Sequence, residues 1–129
     1  MIHFDTSFLA DYLQGETYTI DFLEAHEDEP YSTTSVVRFE LFNGALKHPS
    51  PKMTVEGVRL GLQWVSVEPF DDGMAEEAAE IQEALRERGA ILSAFDALIA
   101  GAAREVGATL VTRDDDFERV DGLTVSVLG

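Results

Sequence analysis

The chain has 129 residues, 45% of them hydrophobic, and no cysteine. That length fits one domain with an ordinary globular core, and the missing thiols exclude a disulfide framework, a thiolate zinc site and sulfur chemistry. Nine Lys and Arg stand against 25 Asp and Glu for a net charge of −16, and self-repulsion of that density is tolerable where salt screens it, over ~3 Å at 1 M. A halophilic protein in a salt-rich cytoplasm is therefore expected; a basic protein partner is the competing reading of the same charge.

The N-terminal residues MIHFDTS lack a basic segment followed by an apolar one, and no apolar stretch approaches the ~18 residues of a membrane helix. The expectation is a soluble, cytoplasmic chain with no membrane partner. Met1 to Phe4 reads as a short buried strand. Thr6 to Leu13 follows as a helix with Phe8, Leu9, Tyr12 and Leu13 on one side, stopped at Gly15. Asp5 lies at the junction. A second helix is predicted over Thr19 to His26, and a strand over Tyr31 to Thr34. Ser35 can cap a helix running through Leu46, which places Glu40 early in that helix.

Pro49 and Pro51 punctuate a loop before a helix over Thr54 to Leu62, and Trp64 to Val67 reads as a strand ended by Pro69. Met74, Ala78, Ile81 and Leu85 then form the apolar stripe of an amphipathic helix, with Glu76, Glu77, Glu80, Glu83 and Glu87 facing water. Gly89 ends it. Ser93 begins a helix whose Ala97, Ala100, Gly101, Ala102 and Ala103 allow close approach to a neighbour. Gly107 closes that helix, Thr109 to Thr112 makes a strand, an acidic turn follows, and Thr124 to Val127 makes the last strand. Short apolar runs alternating with helix-period segments indicate an α/β fold, and right-handed crossovers make its sheet mainly parallel.

Asp5, Glu40, Asp96 and the pair Asp114 and Asp116 fall where strands hand over to helices or where a helix faces that edge, the carboxyl end at which open α/β sheets bind ligands. Carboxylates gathered at one point need a cation, and oxygen ligands select hard ions such as Mg²⁺ or Mn²⁺, which activate water against phosphodiesters. Each acid also has a plainer reading. Asp5 can cap the first helix, Ser93 and Asp96 have the S-x-x-D form of a capping box, and Asp114 and Asp116 can be turn residues or caps of the segment Phe117 to Val120. Glu40 stands within the apolar run Val36, Val37, Phe39, Leu41 and Phe42, too far from Ser35 for a reciprocal cap; it is either a paired group or a surface one, since an unpaired buried carboxylate costs several kcal/mol. His3, His26 and His48 lack ligand spacing, and His3 reads as a packed strand residue. Serine-hydrolase and nucleotide-binding motifs are absent from the sequence.

Taken in order, FDTSFLADYLQG, TTSVVRFELFNGA, SAFDALIAGAA and TLVTRDDDFERVDGLTV resemble the PIN-domain family, most closely its VapC-type toxin ribonucleases. The resemblance covers nearly the whole chain. It implies a single PIN-like domain over residues 1–129, a three-layer α/β/α architecture with a mainly parallel sheet of four to five strands, and Mg²⁺- or Mn²⁺-dependent endonucleolytic cleavage of RNA. The catalytic acids map to Asp5, Glu40, Asp96 and Asp114, and the metal ligands to Asp5, Asp96, Asp114 and Asp116. Many relatives carry one more residue in the final loop, so the choice among Asp114, Asp115 and Asp116 stays open. Thr6 and Thr112 match hydroxyls that orient carboxylates, and Arg113 is a candidate phosphate contact or else a surface ion pair. A cognate antitoxin and a homodimer follow as family expectations. Two rivals are a non-catalytic PIN-like module that binds RNA or protein, and an aspartyl-phosphate enzyme, whose D-x-D pattern is missing after Asp5.

Charge screening predicts that the melting temperature rises as KCl is raised toward molar concentration. Thermal denaturation across a KCl series checks this, and greatest stability in dilute buffer would contradict it.

Overall fold

The computed structural model describes residues 1–128. Five strands, β1 (Ile2–Phe4), β2 (Tyr31–Thr34), β3 (Ser66–Glu68), β4 (Thr109–Thr112) and β5 (Thr124–Val127), form one sheet in the order β3-β2-β1-β4-β5. Every neighbouring pair is parallel. The helices are α1 (Thr6–Leu13), α2 (Thr17–Ala25), α3 (Ser35–Lys47), α4 (Val55–Gly61), α5 (Asp72–Glu87) and α6 (Ala94–Val106), with a short 3₁₀ turn at Asp115–Arg119. Right-handed crossovers put α1 to α4 on one face and α5 and α6 on the other, the three-layer α/β/α arrangement expected from the sequence. Among the described residues no helix is long and apolar enough to cross a membrane.

The central strand β1 is buried along its whole length. Phe4 stacks on Phe8 of α1 with ring centroids 4.4 Å apart, and Phe22, Tyr31 and Trp64 meet Phe4 edge-on or tilted. Phe4 and Phe8 are both fully buried, and burial of a side chain of this size contributes about 1.5–3 kcal/mol. This aromatic block fixes α1 against the sheet and with it the direction in which Asp5 leaves β1. His3 packs within β1 as the strand reading predicts. Its Nδ1 lies 2.9 Å from the Ser32 hydroxyl, and burial lowers its pKa to about 4, so the ring is neutral at ordinary pH.

Several boundaries and exposures differ from the sequence expectation. Thr34, not Ser35, caps α3, because the Thr34 hydroxyl accepts from the Val36 N–H at 3.4 Å. Ser35 becomes the first helical residue, and its hydroxyl accepts instead from the Phe70 N–H at 3.1 Å. The α2 helix starts at Thr17, and Thr54 caps α4 from outside it. Trp64 and Val65 lie before β3 in a turn where the Trp64 indole donates to the Gly61 carbonyl, so β-propensity there serves packing, not the sheet. Glu77 does not simply face water: it is half-buried and accepts from Arg104 at 2.6 Å, tying α5 to α6.

The apolar stripe of α5 is as predicted, with Met74, Ala78, Ile81 and Leu85 all buried. The small residues of α6 bring that helix against it. A Cβ added at Gly101 would stand 2.6 Å from the Ala78 backbone nitrogen and 2.8 Å from its Cα. At the other end, Gly107 takes φ 69°, a left-handed cap that turns the chain into β4.

Gly101→Ala is expected to destabilise the fold despite alanine's helix preference of about 1 kcal/mol, because the clash is with rigid backbone and such overpacking costs roughly 1–3 kcal/mol. Urea unfolding measures the difference, and a midpoint at or above wild type would show that α5 and α6 can part without cost.

Candidate active site

β1 and β4 lie side by side, but the chain leaves them in opposite directions, from β1 toward β2 and from β4 toward β5. A crevice opens between their carboxyl ends, where open α/β sheets bind ligands. Asp5 follows β1 into it and Thr112 ends β4 beside it.

Asp5 is only 4% exposed. It does cap α1, with Oδ1 accepting the Phe8 N–H at 3.0 Å. The Ser7 hydroxyl lies 2.9 Å from both carboxylate oxygens, and the Thr112 hydroxyl donates to Oδ2 at 2.5 Å. A lone buried carboxylate costs several kcal/mol, whereas each hydrogen bond to a charged group returns about 1.5–3 kcal/mol. Burial still holds the Asp5 pKa above the ordinary carboxylate range, opposed by the Thr112, Phe8 and Ser7 hydrogen bonds and reinforced by the charge of Asp96. Capping alone does not require so desolvated an acid.

Thr112 does a second job. Its oxygen accepts the Asp114 N–H at 2.9 Å, which directs its single proton to Asp5. The Arg113 N–H reaches the Ser7 hydroxyl at 3.3 Å. Two hydroxyls thus stitch the loop after β4 to the start of α1. Ser7 did not figure among the sequence candidates; the signal was there in a second hydroxyl two residues past Asp5.

Glu40 is neither a fully buried charge nor a free surface one. Half-buried on α3, it accepts from the Thr6 hydroxyl at 2.5 Å. The apolar run around it is divided by the helix: Val37, Leu41 and Ala45 face the core, while Phe39 is 51% exposed. Arg38 turns its guanidinium over the Phe42 ring, 5.0 Å from the centroid.

Asp96 sits in the first turn of α6, and its N–H donates to the Ser93 hydroxyl at 3.2 Å, so the cap predicted from S-x-x-D is present. Its half-buried carboxyl has a pKa raised first by burial. The Ser93 hydroxyl opposes that, and the charges of Asp114, Glu40 and Asp116 add to it. The charges of Glu40 and of the Asp114 loop thus bear on Asp96, and that of Asp96 bears on Asp5.

Asp114, Asp115 and Asp116 bring carboxylate oxygens within 4.8 Å of one another. Their positions separate them. Asp114 is half-buried and caps the 3₁₀ turn, Oδ1 accepting the Asp116 N–H at 2.9 Å. Asp116 is exposed and paired with Arg119 at 2.8 Å, and Asp115 is exposed. Arg113 has its guanidinium 2.7 Å from Asp11 and 5.7 Å from the Tyr18 ring centroid.

A family model described as "PIN domain" matches residues 2–123. The chain belongs to the PIN-domain family. The tRNA(fMet)-specific endonuclease VapC of Shigella flexneri is 33% identical over 91 residues, which is 70% of this chain and 69% of that protein. Among solved structures, VapBC2 from Rickettsia felis bound to a promoter DNA fragment gives a TM-score of 0.89 at 22% identity, covering 100% of both chains. DNA-bound VapBC from Salmonella typhimurium gives 0.88 at 22% identity, over 98% of this chain and 96% of that one. Mycobacterium tuberculosis VapC20, a sarcin–ricin loop cleaving toxin, gives 0.66 at 21% identity, over 92% and 94%. At such identities the structural likeness speaks for the fold, and it is the PIN fold of VapC proteins.

The donor set at the crevice is carboxylate and hydroxyl oxygen, which fits a hard divalent ion. Because like charges and burial disfavour ionised Asp96, Asp96→Asn is expected to raise the melting temperature of protein kept in a chelator. Mn²⁺ is expected to stabilise the wild type, and the same variant should shrink that effect. Calorimetry in chelator and in Mn²⁺ reads both; a lower melting point in chelator would mean the charge is not a cost to the fold.

Proposed function

We propose that this PIN-domain protein is a metal-dependent endoribonuclease and the toxin of a type II toxin–antitoxin pair. What supports this reading most is that the Thr112 hydroxyl joins Asp5 to the Asp114 loop while Thr6, next to Asp5, holds Glu40, with Asp96 close enough for its charge to bear on Asp5. The relative named an endonuclease and the VapC structures support it.

Asp5 and Asp96 would be direct ligands of Mg²⁺ or Mn²⁺, with Asp114 beside them and Asp116 at the rim. An ion held there would supply Lewis acidity toward the phosphodiester and make water a better nucleophile at neutral pH. The chain's own part is positioning. Thr112, Ser7 and the Phe8 N–H fix one set of Asp5 lone pairs, so the orientation of the remaining ones is set before substrate arrives. Thr6 holds Glu40 at the mouth of the crevice, where a half-buried carboxylate can orient the attacking water and accept its proton. Asp114 is steadied through its own N–H on Thr112.

The partner reading has a surface to go with it. A cavity of about 330 Å³ between α1, α2 and β2 is lined by Tyr12, Ile20, Leu23, Tyr31 and Trp64 and edged by Glu24 and Glu27. An antitoxin segment with apolar and arginine side chains suits that combination. A homodimer is proposed as the state in which the toxin acts.

The test is digestion of RNA with Mn²⁺ or with chelator. Cleavage is expected only with metal. Asp5→Asn and Asp96→Asn should each lower it by more than the roughly 10–100-fold that loss of an outer-sphere partner costs, while Thr112→Val should fall within that roughly 10–100-fold range. Circular dichroism confirms that the variants fold. Full activity in either Asn variant would remove that acid from the mechanism, and no cleavage by the wild type would leave a PIN module that binds without cutting.

A further inference from the structure

Phe39 and Phe95 stack on each other in the open. Their ring centroids are 5.6 Å apart at an interplanar angle of 26°, yet the residues remain 51% and 42% exposed. Phe39 immediately precedes Glu40 on α3, and Phe95 immediately precedes Asp96 on α6. The two helices that bear Glu40 and Asp96 therefore also meet through an exposed aromatic pair, each ring one residue from an acid. Neither ring is needed in the core, which Val37 and Leu41 fill from α3 and Ala97, Ile99 and Ala100 from α6.

We infer that this pair is a base-binding platform, on which an unpaired nucleobase of the RNA strand stacks while its neighbouring phosphate lies among Asp5, Glu40 and Asp96. The inference rests on the nuclease reading above and names how that site grips its substrate. The two rings already touch, so a base adds to the open face of the pair and does not slip between them. The reason to need it is electrostatic. Five of the seven arginines are paired with carboxylates, namely Arg86, Arg88, Arg104, Arg113 and Arg119. Arg38 lies over Phe42. A chain of net charge −16 with nine cations has few left to meet phosphates, and in concentrated salt the counterion release that drives such contacts fades. Stacking of a base on an aromatic ring is worth about 1–3 kcal/mol, tolerates any sequence and does not depend on charge. It also selects single-stranded RNA, whose bases are free to splay.

The experiment compares the wild type with Phe39→Leu/Phe95→Leu, which keeps apolar bulk and removes the π faces, and with Phe39→Trp, which keeps an aromatic face at both positions. Cleavage kinetics are run with Mn²⁺ in molar KCl, and light scattering gives each variant's mass. In parallel, fluorescence of an RNA oligonucleotide carrying 2-aminopurine is titrated in chelator, where stacking quenches it without any turnover. Expected are a KM raised roughly tenfold in the double Leu variant with kcat within about twofold, loss of the quenching, an unchanged mass, and a KM near wild type for Phe39→Trp. An unchanged KM and undiminished quenching would overturn the platform. So would a double Leu variant whose mass falls from dimer to monomer, which would assign the pair to an interface between copies of this chain. If the wild type cuts no RNA, the nuclease reading fails by itself, and the 2-aminopurine titration still decides whether a base stacks there.

Discussion

The hydrogen bond from the Thr112 hydroxyl to the Asp5 carboxylate joins residues 107 positions apart and holds the central crevice in shape. It is possible only because β1 and β4 are parallel neighbours in register, Phe4 facing Val111. One residue of slip would turn the hydroxyl to the other face of the sheet. Through Thr112 the loop after β4 is held as well, since the Asp114 N–H donates to the same oxygen. Ser7 repeats the device from the other side, between Asp5 and the Arg113 N–H. Two carboxylate-bearing segments, the start of α1 and the loop after β4, thus converge on neutral hydroxyls. A hydroxyl can order an acid without neutralising it, which leaves the negative charge available to a cation; an arginine in the same place would cancel it.

Apart from Arg119, which pairs with Asp116, the protein uses its cations elsewhere. Arg104 pairs with Glu77 between α5 and α6, and Arg113 binds Asp11 beside Tyr18, and these contacts brace elements around the crevice from outside. A surface pair such as Arg113 with Asp11 contributes little by itself, about 0–1 kcal/mol. The arrangement of these pairs matters more than their energy: positive charge lies on the flanks, and the acids at the carboxyl edge keep their mutual repulsion. Burial and that repulsion together raise the pKa of Asp5 and Asp96, in a cluster whose members a purely structural role would have paired.

Much of the fold was legible before any coordinates. β2, β4, β5 and α1 occupy the predicted spans, and the four-residue stripe of α5 is buried as its spacing requires. These elements announce themselves through period and punctuation, which are local. Where the expectation missed, a distant residue had the casting vote. Ser35 was the expected cap of α3, but Thr34 caps it and the Ser35 hydroxyl accepts from the Phe70 N–H instead. Trp64 has the look of a strand residue, but the aromatic cluster around Phe4 claims its ring. Glu77 patterns as solvent-facing until Arg104 arrives from the next helix. The site followed the same rule. The acids could be nominated, since each stands at an element junction or on a helix facing that edge, but the resemblance offered Thr6 only as a carboxylate-orienting hydroxyl, its pairing with Glu40 came from the fold, and Ser7 was not nominated at all.

From the sequence alone came the α/β alternation, the acidic surface, the absence of sulfur chemistry and the set of acids from which a site could be built. Periodicity, composition and residue type are properties of the chain itself, so no folding is needed to read them. Only the tertiary structure decided that β1 and β4 are neighbours, that Asp114 is the half-buried member of its acidic run, and that Phe39 and Phe95 meet in solvent beside Glu40 and Asp96. Those facts depend on which strands pair and which helix faces meet. That outcome is settled by burial summed over the whole molecule, and no single segment carries it.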